Sequence, residues 1–478
     1  MSRKIYPVLL LAYILFPSLK AQQLTWSSQF EVPGGLYDQP YVFGDDNNYL
    51  YVFYGKEYLC YVDKINKNSL VRERSSKIAI KPGEGAFFKH HSQVVTGNSV
   101  ILFYSKIIDS KVALCCIRLG DNIPLSEDTL ISVKGDFFAP VPAIFTVVTS
   151  PDKEKLAIMM MNWNKKTSHY EYLIALFDDQ LKLLSQWTAE NDVMDWYSIN
   201  GLSLDHNGNV YYLKSTSDGR SWLVSFHGDK HDKRELFLDL SEQATNVMAI
   251  PSGLNLYNEN LLVAGSVVSD TIGEKYLSFY SNRMIKGTFA ISVDILTNTV
   301  KFRKVNLFEE TVKVKQNYFQ PCVFHCDSLG NFTLVNEIIY DLYLTSTYGY
   351  TFVSYHSADG DLRWSVKLPI YFSPDRSNYD AFWYLVKHES DGVHVFMNDP
   401  VFDESINPKV ETSAEYKSPI EFIINGPDKI QIKGDIKRSL MMSLTKTITH
   451  DYLDSNGRLY FIAKKGKYYK ISSQSPAL

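Results

Sequence analysis

One phrase recurs through this chain and restricts its fold more than any other feature. In Leu202-Ser203-Leu204-Asp205-His206-Asn207-Gly208-Asn209-Val210-Tyr211-Tyr212-Leu213, a short apolar run meets an Asp-x-x-Gly turn, and a run of β-branched and aromatic residues follows. The phrase returns over residues 323–335, with Asp327 and Gly330, and over residues 451–462, with Asp454 and Gly457. A weaker copy, Asp45-Asp46-Asn47-Asn48-Tyr49-Leu50-Tyr51-Val52-Phe53, carries Asn48 in the glycine's place. An Asp side chain caps such a turn, and Gly or Asn accepts the positive φ that a tight hairpin demands. The flanking residues suit a pleated strand.

Strand groups separated by turn residues continue along the chain, with almost no helical periodicity. Eight groups can be read, over residues 39–79, 87–133, 143–191, 198–240, 245–307, 316–368, 379–435 and 446–472. Two match beyond the turn, through Val224-Ser225-Phe226-His227 and Val353-Ser354-Tyr355-His356. A four-stranded antiparallel unit repeating at roughly 40–60 residues specifies an all-β fold, a single β-propeller. Eight blades is the first reading and seven the second. The last group lacks an outer strand, whereas residues 24–32 form an orphan strand at the other end. Pairing the two is expected to close the ring and hide both open sheet edges.

Ser150-Pro151-Asp152-Lys153-Glu154-Lys155-Leu156-Ala157 resembles the strand-turn-strand phrase of TolB-type propellers. Asp359-Gly360-Asp361-Leu362-Arg363-Trp364 resembles a blade ending of pyrroloquinoline-quinone type repeats. This is a resemblance of fold over most of the chain, and propellers host many unrelated functions. Quinone-dependent dehydrogenases carry a Trp-containing motif in most blades. Here only Trp364 sits in such a phrase, so the adjacent Cys115 and Cys116 do not make the case, and no cofactor is expected.

Residues 1–21 read as a secretory signal peptide: Arg3 and Lys4, an apolar centre from Val8 to Phe16, then Pro17, Ser18 and Ala21 before the cut. The apolar run is short for ~30 Å of hydrocarbon, and no later run suffices, so no membrane span is expected after signal removal. The propeller domain then occupies residues 22–478 of an exported chain, secreted or periplasmic. The whole chain has a formal charge of −4, and losing Arg3, Lys4 and Lys20 with no acid gives −4 − 3 = −7. An acidic chain of this kind is not expected to bind nucleic acid.

Five cysteines in a long exported chain do not make a disulfide framework. Cys322 and Cys326 lie four apart in one strand, roughly 13 Å, too far to bridge. Cys115 and Cys116 are expected to point to opposite faces of a strand, with a vicinal disulfide as the alternative. His90, His91, His227, His231, His325 and His356 show no zinc-type spacing, and Asp45-Asp46-Asn47-Asn48 lacks the acidic alternation of a calcium loop. No metal site is expected, and the acidic tetrapeptide reads as a solvated turn.

The chain carries no Gly-x-Ser-x-Gly elbow, no phosphate-binding Gly-Lys loop and no His-Glu-x-x-His. Two long connections are more informative. Residues 371–380 and 398–419 are polar and aromatic, and loops of this kind form binding sites on the ends of propeller rings. Tyr371, Phe372, Asp375, Arg376 and Tyr379 are the candidate binding residues. The expected function is a non-enzymatic binding or scaffold propeller for a protein or glycan. The alternative is an extracellular carbohydrate-active enzyme, a glycoside hydrolase or lyase, with carboxylates at the central channel.

Overall fold

The computed structural model describes residues 25–474 apart from 33–39, 57, 82–87, 97–98, 110, 120–123, 134–143, 165–168, 192–200, 216–220, 228–231, 241, 245–246, 270–284, 298, 313–316, 341–347, 369, 372–383, 398–400, 403–419, 428, 434–447, 455–457 and 466–467. Every regular element among the described residues is a β-strand. The strands form eight four-stranded antiparallel blades, each in simple up-and-down order. Blades 1 to 7 span residues 41–79, 88–133, 144–191, 202–237, 247–312, 317–367 and 384–433. The eighth takes Ile448–Leu453, Leu459–Lys465 and Tyr468–Gln474 from the C-terminal end. The first strands of blades 1 and 2, 2 and 3, and onward to 6 and 7 lie side by side, as do those of blades 8 and 1. The result is a ring of eight blades with the first strands innermost. Among the described residues no helix is long and apolar enough to cross a membrane.

The fourth strand of blade 8 is the orphan segment anticipated from the sequence. Thr25 pairs with Ser473 and Trp26 with Ser472; after a break, Phe30 pairs with Tyr469 and Glu31 with Tyr468. Across the break the Ser27 amide donates to the Ile471 carbonyl at 2.7 Å, and the Ile471 amide donates to Ser27 Oγ at 2.9 Å. Covering the outer edge of Tyr468–Gln474 removes a strand edge that would otherwise template aggregation.

Each blade is sandwiched between two others, so its middle strands are apolar without alternation. Val100-Ile101-Leu102-Phe103-Tyr104 is wholly buried. Leu102 and Tyr104 pack toward blade 1 with Tyr51 and Phe53, while Ile101 and Phe103 pack toward blade 3 with Ile158 and Met160. Cys115 and Cys116 divide the same way and are free thiols, one in each interface. Fourth strands keep the alternating pattern of a half-solvated edge, as in Arg72–Ala79 and Asp232–Phe237.

Two buried ionic networks stitch blade 8 to blade 1. Asp63, fully buried on blade 1, accepts hydrogen bonds from Tyr54 Oη at 3.1 Å, from Arg72 Nη1 at 3.1 Å and from Tyr469 Oη of blade 8. Burial, and then the Asp63 charge, push the Tyr54 and Tyr469 phenols well above their ordinary range, so both remain donors. Nearer the turns, the Lys67 ammonium bonds Asp45 and lies 3.5 Å from Asp454 Oδ2 of blade 8. Asp45 is therefore not part of a solvated turn, as its sequence context implied: it is 5% exposed. Its neighbour Asp46 does the capping, accepting from the Asn48 and Tyr49 amides at 2.8 and 2.7 Å. This turn closes between Asp46 and Tyr49, one residue tighter than Asp205 to Asn209, which is why Asn48 can replace the glycine.

The repeated Val-Ser-aromatic-His phrase does not occupy equivalent places. In blade 4 Val224 faces Tyr212, seven residues past the turn Asp205; in blade 6 Val353 faces Val335, eight past Asp327. A one-residue slip exchanges the faces of a strand. His227 accordingly stays half-buried, while His356 is fully buried and stacked on Phe332 at 4.5 Å.

Candidate functional site

Strand direction alternates within each blade and first strands lie side by side, so connections sort to two ends of the ring. First-to-second and third-to-fourth turns share one end, and they are short: Asp45 to Tyr49, Leu204 to Val210, Tyr257 to Asn260, Glu389 to Gly392. Second-to-third and blade-to-blade connections share the other. The long ones all join strand ends there: 134–143, 192–201, 270–284, 372–383, 403–419 and 434–447. The structure ties two of them together. Ile370–Tyr371, leaving blade 6, pairs antiparallel with Val401–Phe402, leaving the second strand of blade 7. Tyr371 thus stands in a two-stranded clasp at the base of both candidate loops. Phe372, Asp375, Arg376 and Tyr379 lie outside the described residues.

The turn end is where carboxylates gather, and turn geometry engages Asp205, Asp327 and Asp454. Asp205 accepts from the Asn209 amide at 2.8 Å through Oδ1, and from Asn209 Nδ2 at 2.8 Å and Tyr211 Oη at 3.0 Å through Oδ2. Asp454 repeats the arrangement with the Arg458 amide at 2.8 Å and Tyr460 Oη at 3.3 Å. Gly208 and Gly330 take φ of 89° and 86°, as the turn requires. In blade 6 the tyrosine six residues past the Asp is replaced by Thr333, and His388 of blade 7 fills the position. Its Nδ1 lies 3.0 Å from Asp327 Oδ2 and its Nε2 lies 2.8 Å from Thr333 Oγ1. A phenol within one blade has been exchanged for an imidazole that links two.

His325 meets this imidazole edge-on at 5.0 Å, and its pKa is pushed down to about 4, first by burial and then by His388. Burial pushes His356 down to about 3. Both are neutral at physiological pH, His356 fully buried and His325 half-buried. His227 Nε2 lies 3.3 Å from Ser225 Oγ; the side chains of His90 and His91, and all of His231, lie outside the described residues. The Cys322 side chain does as well. Among the described histidines, those with the richest polar surroundings, His388 and His394, are not among the sequence candidates. The signal available was Glu389-x-Asp391-x-x-His394, which a two-residue hairpin turn folds back onto itself.

No family model and no curated protein matches this sequence. Solved structures with a similar backbone include a prolyl endopeptidase (TM-score 0.44, 10% identity), for which the match covers 90% of this chain but 56% of that one. The β-propeller domain of the Trilobed protease from Pyrococcus furiosus matches with TM-score 0.36 and 12% identity, over 82% of this chain and 96% of that one. The WD40 domain of SCAP from fission yeast matches with TM-score 0.36 and 9% identity, over 95% and 90%. All are propellers or contain one. The blade count and the closure follow from the strand pairing of this chain.

Proposed function

We propose that this chain is an exported recognition propeller, which holds a protein or glycan without turning it over and uses the long-connection end of the ring. The observation that carries this reading is the asymmetry of the two ends. One is pared to short turns, where Asp205, Asp327 and Asp454 are spent on capping, and the other bears every long connection, two of them clasped through Ile370–Tyr371 and Val401–Phe402. General acid–base chemistry needs a carboxyl within reach of substrate. Asp205, Asp327 and Asp454 instead each accept hydrogen bonds from the amide that closes their own turn and from a neighbouring side chain. Export is supported by the signal-like pattern of residues 1–21, and sequencing the N-terminus of the mature protein from cell fractions tests it.

The functional test is a glycan array on the mature chain with a sugar-release assay on each hit, beside cross-linking of protein partners. Tyr371→Ala, Phe372→Ala and Tyr379→Ala, combined, are expected to abolish capture while leaving far-UV circular dichroism unchanged. Release of sugar from a bound glycan would replace this reading with a carbohydrate-active enzyme. Capture that survives the triple substitution would remove the loops from the site.

A further inference from the structure

The hairpin of blade 7, Tyr384–Glu389 and Gly392–Met397, gathers acids around a buried histidine. His394 Nε2 lies 2.7 Å from Asp391 Oδ1 and 3.9 Å from Glu389 Oε2. Its Nδ1 lies 2.7 Å from Oε1 of Glu421, a buried carboxylate on the third strand. The donor atoms of Glu389, Asp391 and His394 all lie within 4.8 Å of one another. Lys387 pairs with Glu389 Oε1, on the far oxygen from the imidazole. We propose that Glu389, Asp391 and His394 form a binding site for a divalent cation of the zinc class, with Glu421 as the carboxylate that orients the imidazole.

Three features support this assignment over a plain hydrogen-bonded cluster. The first is charge. Three carboxylates, Glu389, Asp391 and Glu421, crowd around one imidazole that is 3% exposed, a concentration of negative charge that a divalent cation would offset. The second is spacing. A cation ~2.0–2.2 Å from each nitrogen and oxygen ligand sets tetrahedral donors roughly 3.3–3.6 Å apart. The observed 2.7 and 3.9 Å separations from Nε2 bracket that range, so small side-chain movements suffice. The third is orientation. A metal-bound histidine characteristically donates its other ring N–H to a carboxylate, and Glu421 takes that N–H and leaves Nε2 toward the acids. Gly392 locks the turn beneath: a Cβ there would stand 2.6 Å from the Ile424 carbonyl oxygen. Asp391 has 55% side-chain exposure, so the site opens to solvent on its side, where water or a ligand atom completes the coordination. One imidazole and two carboxylates favour zinc, with manganese as the harder alternative.

The site lies at the short-turn end, away from the loops proposed for recognition, so the two readings are tested separately. Mature protein stripped with chelator and desalted is titrated with Zn²⁺ by calorimetry, and with Co²⁺ by its visible absorption. One equivalent is expected to bind, with Co²⁺ bands of a four-coordinate nitrogen–oxygen site. Asp391→Asn, on an exposed turn that folding tolerates, is expected to weaken binding at least about 10-fold, and Glu421→Gln roughly 10–100-fold. Asp359→Asn, an exposed acid on blade 6, leaves it unchanged. Absence of stoichiometric uptake by the unaltered chain overturns the proposal, and so does equal affinity in Asp391→Asn.

Discussion

Asp63 is the residue whose loss should open the ring at one place. It is fully buried and takes three hydrogen bonds, two of them from within blade 1 and one from Tyr469 across the closure. Asp63→Asn keeps the volume but removes the charge that faces Arg72, and it turns one acceptor into an amide that meets hydroxyl donors. Breaking a buried charged network by one partner costs ~3–5 kcal/mol, against ~1 kcal/mol for one neutral hydrogen bond. At about 1.4 kcal/mol per factor of ten, 3 kcal/mol is a rise of roughly 10²-fold in opening. Because the lost contacts lie on the blade 8–blade 1 seam, the effect should be read there by amide exchange under native conditions. The Ser27 and Ile471 amides, which bond across the closure, should exchange roughly 10²-fold faster, while Ile158 and Val263 in blades 3 and 5 hold their protection. Tyr469→Phe, which leaves Asp63 two donors, should move the same amides by only about 5–10-fold. Uniform loss of protection around the ring, or no change at Ser27 and Ile471, would refute the reasoning.

Three further outcomes follow from the packing. His356 has a folded pKa of about 3 against an ordinary 6.5, so below pH 6.5 the unfolded chain takes up a proton that the folded chain refuses. Its contribution to stability is lost as pH falls, by about 2 kcal/mol between pH 7 and pH 5, and urea midpoints should show His356→Phe flattening the profile by that amount. Gly330→Ala should cost ~1–3 kcal/mol, since φ is 86° and the new Cβ would stand 2.5 Å from Tyr257 Cε1; Gly426→Ala, with nothing within 4 Å, should cost less by the same measurement. Burial pushes the Cys60 and Cys116 thiols up to about 12 and raises Cys115, so peptide mapping after native thiol labelling should find all three unmodified, and labelled only once the chain is unfolded.

The blades were legible because each is specified locally. Asp caps, positive-φ glycines and apolar strand pairs repeat within a few residues, and the eight groups read from them correspond to the eight blades. The orphan strand was legible from arithmetic alone, since one group was a strand short. What escaped was set by partners on other blades. His388 substitutes for a tyrosine missing at Thr333, and nothing near position 388 announces this. Asp45 looked like a solvated turn residue because Lys67 and Asp454, which enclose it, are distant along the chain. His227 and His356 looked equivalent because a one-residue slip of register leaves no mark in either phrase. The candidate loops were recognisable as loops, and their clasp was not, since Tyr371 and Val401 pair across the whole inner half of blade 7.

The pairing of Thr25 with Ser473 also imposes an order of events on the molecule's birth. The partners are separated by 473 − 25 = 448 residues, the longest reach in the fold. At ~5–20 residues per second of synthesis, the first strand waits roughly 20–90 s before its partner exists. Blades 1 to 7 are each complete in consecutive sequence and can form as they emerge, but blade 1 keeps a bare flank and the segment Thr25–Glu31 stays unpaired until Tyr468–Gln474 has been made. Assembly is thus sequential and then abrupt, with the most non-local contact made last. A chain stopped short of Tyr468 retains seven finished blades and no ring.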